Sequence, residues 1–278
     1  MIKLDIDSLN VDIKKGTVEG TYLFSYQGKN YLFKRHKEKE KKYNELIAEK
    51  IAQRMGLPCA HYFLGKYQKE EVVISEMFDM KNYHSMRSIL QEENPNYQDQ
   101  DDNNLSSIWI AFLNRFDQET TERLMDQLVK IFLFDALIDN RDRHDENYGL
   151  IITEEDVSFA PLFDHDAMFD EWSSYFHHFS MGIEKDDLKN HLINPNTKTE
   201  EMLEKFLWVS DDKYRDDLKE YLKWIRPDSI QEILEELKQE GVKISKEEEE
   251  LIHMMFSDNV RRIEAILEEI GKKNEHAR

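Results

Sequence analysis

The sequence predicts an α+β protein of two lobes: a small strand-rich lobe over residues 1–79 and a larger helical lobe over 80–278. Two patterns carry that expectation. The first eighty residues hold short aromatic-rich runs separated by turn residues, with one helical stretch among them. Beyond Asp79 the apolar residues recur at the three- and four-residue spacing of a helix face.

Taken in order, Tyr22 to Tyr26, the turn Gln27-Gly28 and Asn30 to Lys34 predict an antiparallel hairpin. Its period of two places Leu32 and Lys34 on one face and Tyr31 and Phe33 on the other. Leu46, Ile47, Ile51 and Met55 share one face of a helix that Gly56 and Pro58 stop. Strands are expected at His61 to Tyr67 and Val72 to Met77, and helix after Asp79. Asn94 to Asn104 is polar and reads as an exposed loop. Thr121 to Ile138 is too apolar to lie on a surface and reads as a buried helix. Leu150 to Ile152 and Val157 to Phe159 are short strands, and from about Glu200 the pattern is helical. There Pro227 suits a first turn, Ile230, Ile233, Leu234 and Leu237 share a face, and Ser245 with Glu248 forms a capping box opening a helix toward Gly271.

Asp and Glu total 58 against 38 for Lys and Arg, a net charge of −20. That balance argues against a surface built for nucleic acid or an anionic membrane, since both are polyanions. The one cysteine, Cys59, cannot form an internal disulfide, which fits a reducing cytoplasm. No apolar run approaches the roughly 20 residues of a membrane span, and the N-terminus lacks a signal-peptide stretch.

The chemistry concentrates in Asp139-Asn-Arg-Asp-Arg-His-Asp-Glu-Asn-Tyr-Gly149, followed by Ala160-Pro-Leu-Phe-Asp164. Phosphoryl transfer needs a carboxylate beside the acceptor hydroxyl, oxygen ligands for magnesium and a lysine for the nucleotide phosphates. Asp142, Asn147, Asp164 and Lys34 are of those types, with Asp166 a rival to Asp164. Glu45 would hold Lys34, with Glu49 one turn later as the competitor. The five-residue spacing from Asp142 to Asn147 is weak alone, because Asp5/Asn10, Asp99/Asn104 and Asp135/Asn140 repeat it. What sets Asp142 apart is its place between a buried helix and an apolar strand. Gly16 and Gly20 could let backbone amides approach a phosphate, although no Walker sequence follows. The basic run Lys34 to Lys42 reads as a solvated loop or as a patch that steers ATP.

The segment from Asp139 through Asp164 resembles the catalytic and metal-binding segments of HipA-like serine/threonine kinases. That fold is shared with phosphatidylinositol 3/4-kinases, whose Asp-Arg-His-x-x-Asn motif reads here as Asp142-Arg143-His144-Asp-Glu-Asn147. Asn44 to Pro58 is similar to the helix C region of the same family, and the likeness runs over about residues 14 to 170. The resemblance implies a bilobal protein-kinase-like fold that uses ATP and Mg2+. Asp142 would be the catalytic base, Asn147 and Asp164 the metal ligands, and Lys34 with Glu45 the phosphate clamp. His144 would orient acceptor or phosphate, and Ser75 to Phe78, with Glu76 among them, would form the hinge that meets adenine. It implies a protein substrate and allows an antitoxin-type partner, which no residue here assigns.

Three other readings compete. A small-molecule or phosphoinositide-type kinase would use the same carboxylate loop. An HD-type phosphohydrolase would use His144-Asp145 and His165-Asp166, but requires a mostly helical domain. A non-catalytic nucleotide-binding pseudokinase would keep the polar groups without their geometry.

Overall fold

The computed structural model describes residues 4–16, 20–35, 43–98, 105–140, 142–169, 225–226 and 228–276. Strands β1 (Leu4–Asp5), β2 (Lys14–Lys15), β3 (Thr21–Tyr26), β4 (Lys29–Lys34), β5 (His61–Tyr67) and β6 (Glu70–Glu76) form one sheet in the order β1-β5-β6-β4-β3-β2. All its pairs are antiparallel except β1 with β5. Gln27 (φ 48°) and Gly28 (φ 78°) both have positive φ, as the tight turn joining β3 to β4 requires. The β5–β6 turn does the same with Gln68 (φ 51°) and Lys69 (φ 68°), without a glycine. There the Asp7 carboxylate accepts from both turn amides, at 3.0 and 3.3 Å.

The period of two decides what each face of this sheet meets. Phe33 is fully buried with Ile6, Phe24, Val72 and Ile74 on one side. On the other side Tyr62, Leu64 and Val73 join Leu46, Ile47 and Ile51 of helix α1 (Asn44–Arg54) in the main core. Helix α1 ends where Gly56 turns left-handed, at φ 68°, and Leu57 N–H donates back to the Ala52 carbonyl.

After Asp79 the chain does not become helical at once. Tyr83–Ser85 first forms a short strand, β7, that edges a second sheet of order β7-β8-β9 with β8 (Gly149–Ile152) and β9 (Val157–Phe159). A three-residue strand is too short to show a period, and its partner lies far along the chain. Ser85 then caps helix α2 (Met86–Glu93) by accepting from Ser88 N–H. Helices α3 (Leu105–Arg115) and α4 (Gln118–Leu137) follow. Helix α4 starts three residues earlier than its apolar pattern predicts, because Asp117 accepts from Thr120 N–H at 2.7 Å.

Helices α5 (Ser229–Gln239) and α6 (Lys246–His276) close the core. Ile230, Ile233, Leu234 and Leu237 are buried as their spacing predicts. The capping box is present: Glu248 Oε2 accepts from Ser245 N–H, and Ser245 Oγ accepts from Glu248 N–H. Expectations placed on 17–19, 36–42, 99–104, 170–224 and Pro227 lie outside the described residues. No described helix is long and apolar enough to cross a membrane.

Candidate functional site

Helix α4 delivers the chain into the Asp139 segment through a Schellman ending. Asp139 takes the left-handed conformation (φ 48°) that glycine usually fills, and Asn140 N–H donates to the Asp135 carbonyl at 2.9 Å. The side chains repeat that pairing, Asn140 Nδ2 donating to Asp135 Oδ1 at 2.8 Å. Asn140 Oδ1 in turn accepts from Asp142 N–H at 3.3 Å. Asn259 of α6 donates to the Leu137 carbonyl, so the helix end is held from a second side.

Beyond this end the side chains alternate in and out. Asp142 is exposed, Arg143 fully buried, His144 half-buried and Asn147 buried. Asn147 Nδ2 donates to the Asp142 carbonyl at 2.8 Å, which closes the segment on itself. His144 Nδ1 accepts from Glu146 N–H. Asp145 is fully buried, gripped by Arg87 at 2.9 Å and Tyr97 at 2.5 Å.

Arg143 joins the two halves of the site. Its Nε and Nη2 bind the Asp135 carboxylate, both 3.1 Å at their shortest, while Nη1 donates to the carbonyls of Asn147 (2.9 Å) and Phe163 (2.6 Å). Burial opposes its charge, but Asp135 outweighs that and holds the guanidinium above its ordinary value. Removing one partner of such a buried pair costs about 3–5 kcal/mol.

Strands β8 and β9 return the chain to the cleft, where Asp164 sits at φ 60°. Lys34, at the end of β4, crosses from the large sheet to meet it. Its ammonium lies 2.6 Å from Asp164, 2.7 Å from Asp166 and 3.4 Å from Glu45. Burial alone would lower the Lys34 pKa, yet the three carboxylates raise it and keep the side chain charged. Glu45 is shared between both sides: Oε1 meets Lys34, while Oε2 accepts from His165 N–H and lies 3.1 Å from His165 Nδ1. Burial would raise the Glu45 pKa, but His165 and Lys34 hold it well below the ordinary carboxylate range. Asn44, one residue earlier on α1, donates to the carbonyls of Asp166 and Met168.

The structure thus brings Lys34, Glu45, Asp164 and Asp166 together, and fastens Asp142 and Asn147 to the same scaffold through Arg143. Glu49 instead accepts from Tyr62 N–H and faces His61 Nδ1 at 2.8 Å. Gly16 and Gly20 flank the start of β3; Gly16 N–H donates to the Thr21 carbonyl, and a side chain at 16 would meet Thr21. Glu76 pairs with Lys29 at 2.6 Å. Phe78 packs in a ring cluster with Tyr83 and Phe163, beside Asp164 in sequence. Asn44 and Asp135 were missed as site residues, and His165 was considered only for the HD-type alternative; each has a bland local reading: a helix-start amide, a helix-end carboxylate and a turn histidine.

One oxygen from each of Glu45, Asp164 and Asp166 can be chosen so that all lie within 4.8 Å of one another. That hard-oxygen set already surrounds one cation, the Lys34 ammonium, and it is the donor chemistry magnesium takes.

The HipA-like C-terminal domain family model matches residues 9–244, and the chain belongs to that family. Among solved structures it is similar to the proinflammatory kinase CtkA of Helicobacter pylori, with a TM-score of 0.71 at 18% identity over 97% of this chain and 98% of that one. It is also similar to HipA of Shewanella oneidensis MR-1, from a complex of that toxin–antitoxin system's HipA and HipB with operator DNA. There the TM-score is 0.56 at 13% identity, over 95% of this chain and 70% of that one. No curated protein sequence matches it significantly. Family and fold together define a mixed α+β, kinase-like protein. The sheet-rich first part also counts against the HD-type reading, which requires a mostly helical domain.

Proposed function

We propose that this chain is an ATP- and magnesium-dependent phosphotransferase that moves the γ-phosphoryl group to a serine or threonine hydroxyl of a protein. One observation supports this above the others: Lys34 reaches both Glu45 on α1 and Asp164, 130 residues further along the chain. A lysine fixed by a helix carboxylate and facing a metal-type carboxylate is how a kinase site receives nucleotide phosphates. In this reading residues 1–79 form the nucleotide lobe and 80–278 carry the acceptor side. Glu76 and Phe78 border the adenine, Gly16 and Gly20 lie over the phosphates, and His144 helps orient the acceptor.

Each residue's task follows from its surroundings. Asp142 is exposed, so it can accept a hydrogen bond from the incoming hydroxyl and take its proton. Lys34, kept charged by its carboxylates, exchanges part of that pairing for phosphate oxygens. Asn147 and Asp164, with Asp166 as the rival, would hold magnesium, which when bound neutralises charge building on the phosphate oxygens. Rate enhancement then comes from positioning and fixed charge, with no covalent enzyme intermediate.

HipA-like family membership supports a protein acceptor, and a cytoplasmic setting accords with the single, half-buried Cys59. The test is purified full-length chain with labelled ATP and magnesium, comparing wild type with Asp142→Ala and Asp164→Ala. Transfer or hydrolysis should fall at least about a hundredfold in both variants; equal rates in all three would sink the reading. Phosphoproteomics of cells expressing wild type or the Asp142 variant identifies the acceptor. Co-purification from the same cells tests for an antitoxin-type partner.

A further inference from the structure

We propose that Arg143 is a positioning residue that holds Asn147 and Asp164 in register, so that both can serve one metal–nucleotide complex. This rests on the phosphotransferase reading. The guanidinium is fully buried, and its hydrogen bonds go to the Asp135 carboxylate and two main-chain carbonyls, so it acts through the chain. Its Nη1 donates to the carbonyl of Asn147 and to that of Phe163. The Phe163 carbonyl belongs to the peptide plane that carries the Asp164 nitrogen. Holding that plane fixes one end of the left-handed conformation from which the Asp164 carboxylate projects, at φ 60°. The other two nitrogens stand on Asp135, which the Schellman ending of α4 anchors in turn. One rigid planar fork therefore sets the spacing between the end of a helix and two separate loops.

Stability alone is a poor reason for this arrangement. A buried ion pair is commonly no better than well-packed apolar side chains of the same volume. What apolar packing cannot do is fix two carbonyls and one carboxylate in a common plane. Lysine would keep the charge and lose the fork, because its single nitrogen reaches from one point.

The experiment uses the full-length chain with Arg143→Lys and Asp135→Asn. Binding of Mn2+ in the presence of a non-hydrolysable ATP analogue is followed by electron paramagnetic resonance, and folding by circular dichroism. Amide hydrogen exchange is followed over 142–148 and 163–166. Arg143→Lys should fold, exchange faster in those two segments together, and bind Mn2+ about 10- to 100-fold more weakly, the usual effect of losing an outer-shell partner. The Mg2+ concentration for half-maximal transfer should rise by a similar factor, with excess Mg2+ restoring much of kcat. Asp135→Asn should move the same readouts in the same direction.

A purely structural arginine would lower melting temperature and active fraction while leaving Mn2+ affinity unchanged. That result in a folded variant overturns the proposal, as does failure of both variants to fold. If wild type itself transfers no phosphate and binds no Mn2+ with the analogue, the phosphotransferase reading falls and the register role with it. A wild type that is active beside an unaltered Arg143→Lys removes the register role alone.

Discussion

Lys34 is a single ammonium facing Glu45, Asp164 and Asp166, and the excess of negative charge explains several properties at once. It keeps the lysine protonated despite burial, and three carboxylates against one ammonium are the charge balance on which the proposed magnesium site rests. Lys34→Met should lower phosphotransfer by about a hundredfold, in line with loss of one fixed charge at a reacting group; an unchanged kcat/KM would contradict the assignment. Glu45 makes a prediction about acid. Its folded-state pKa lies below its ordinary 4.5, so the folded chain binds fewer protons there than the unfolded chain. Its stabilisation is complete above pH 4.5 and is lost as pH falls below that value. Glu45→Gln should therefore cost about 1–3 kcal/mol at neutral pH, the price of poorly satisfied buried donors, and should flatten the loss of stability below pH 4.5. Urea unfolding at stepped pH measures both; a wild type whose stability does not fall in acid any faster than the Gln variant's would refute the linkage.

At the scale of elements, the same five-residue spacing serves two different purposes, and this explains why the sequence pattern was ambiguous. Asp135 and Asn140 are the first and last residues of a Schellman ending, where spacing of five is set by the helix itself. Asp142 and Asn147 use it to close a loop, side-chain amide to main-chain carbonyl. Local pattern made β3, β4, β5 and α1 legible, through the alternation and turn of the hairpin strands and the apolar spacing of the helix. Strand β7 was not legible, because three residues show no period and the strand exists only by pairing with β8. Strand period gave the face of Lys34, while its partner stood open between Glu45 and Glu49 until the structure placed Glu45 beside it; His165 and Arg143 act through contacts that follow no local pattern. The β7–β8 pairing supplies a further test. Ser85 stands opposite Gly149, and a Cβ at 149 would lie 2.1 Å from the His84 carbonyl oxygen. That atom is backbone and cannot rotate away. Gly149→Ala should destabilise by about 1–3 kcal/mol as the strands separate, read as an earlier urea midpoint; an unshifted midpoint would contradict this close pairing of β7 with β8.

Across the whole molecule, the charges divide into those that water screens and those it does not. The chain carries −20 overall, and that excess pushes the compact state apart. Many of its ion pairs, such as Lys246–Glu250 and Arg123–Asp156, lie on the surface, where each contributes about 0–1 kcal/mol and weakens with salt. Arg143 sits inside and Lys34 is half-buried, so dissolved ions reach them less well than the surface pairs. Adding salt therefore weakens the general repulsion more than it weakens the pairs that fix the site. Between ~0.01 M and ~0.15 M ionic strength the screening length falls from about 30 to about 8 Å, short enough to separate opposite faces of a domain. The melting temperature of wild type should rise over that interval. The rise should be nearly the same for Asp142→Ala, whose single charge changes the total very little. Differential scanning calorimetry at stepped sodium chloride concentrations provides the measurement, and a melting temperature that falls steadily with salt would mean that exposed attractive pairs outweigh the net charge.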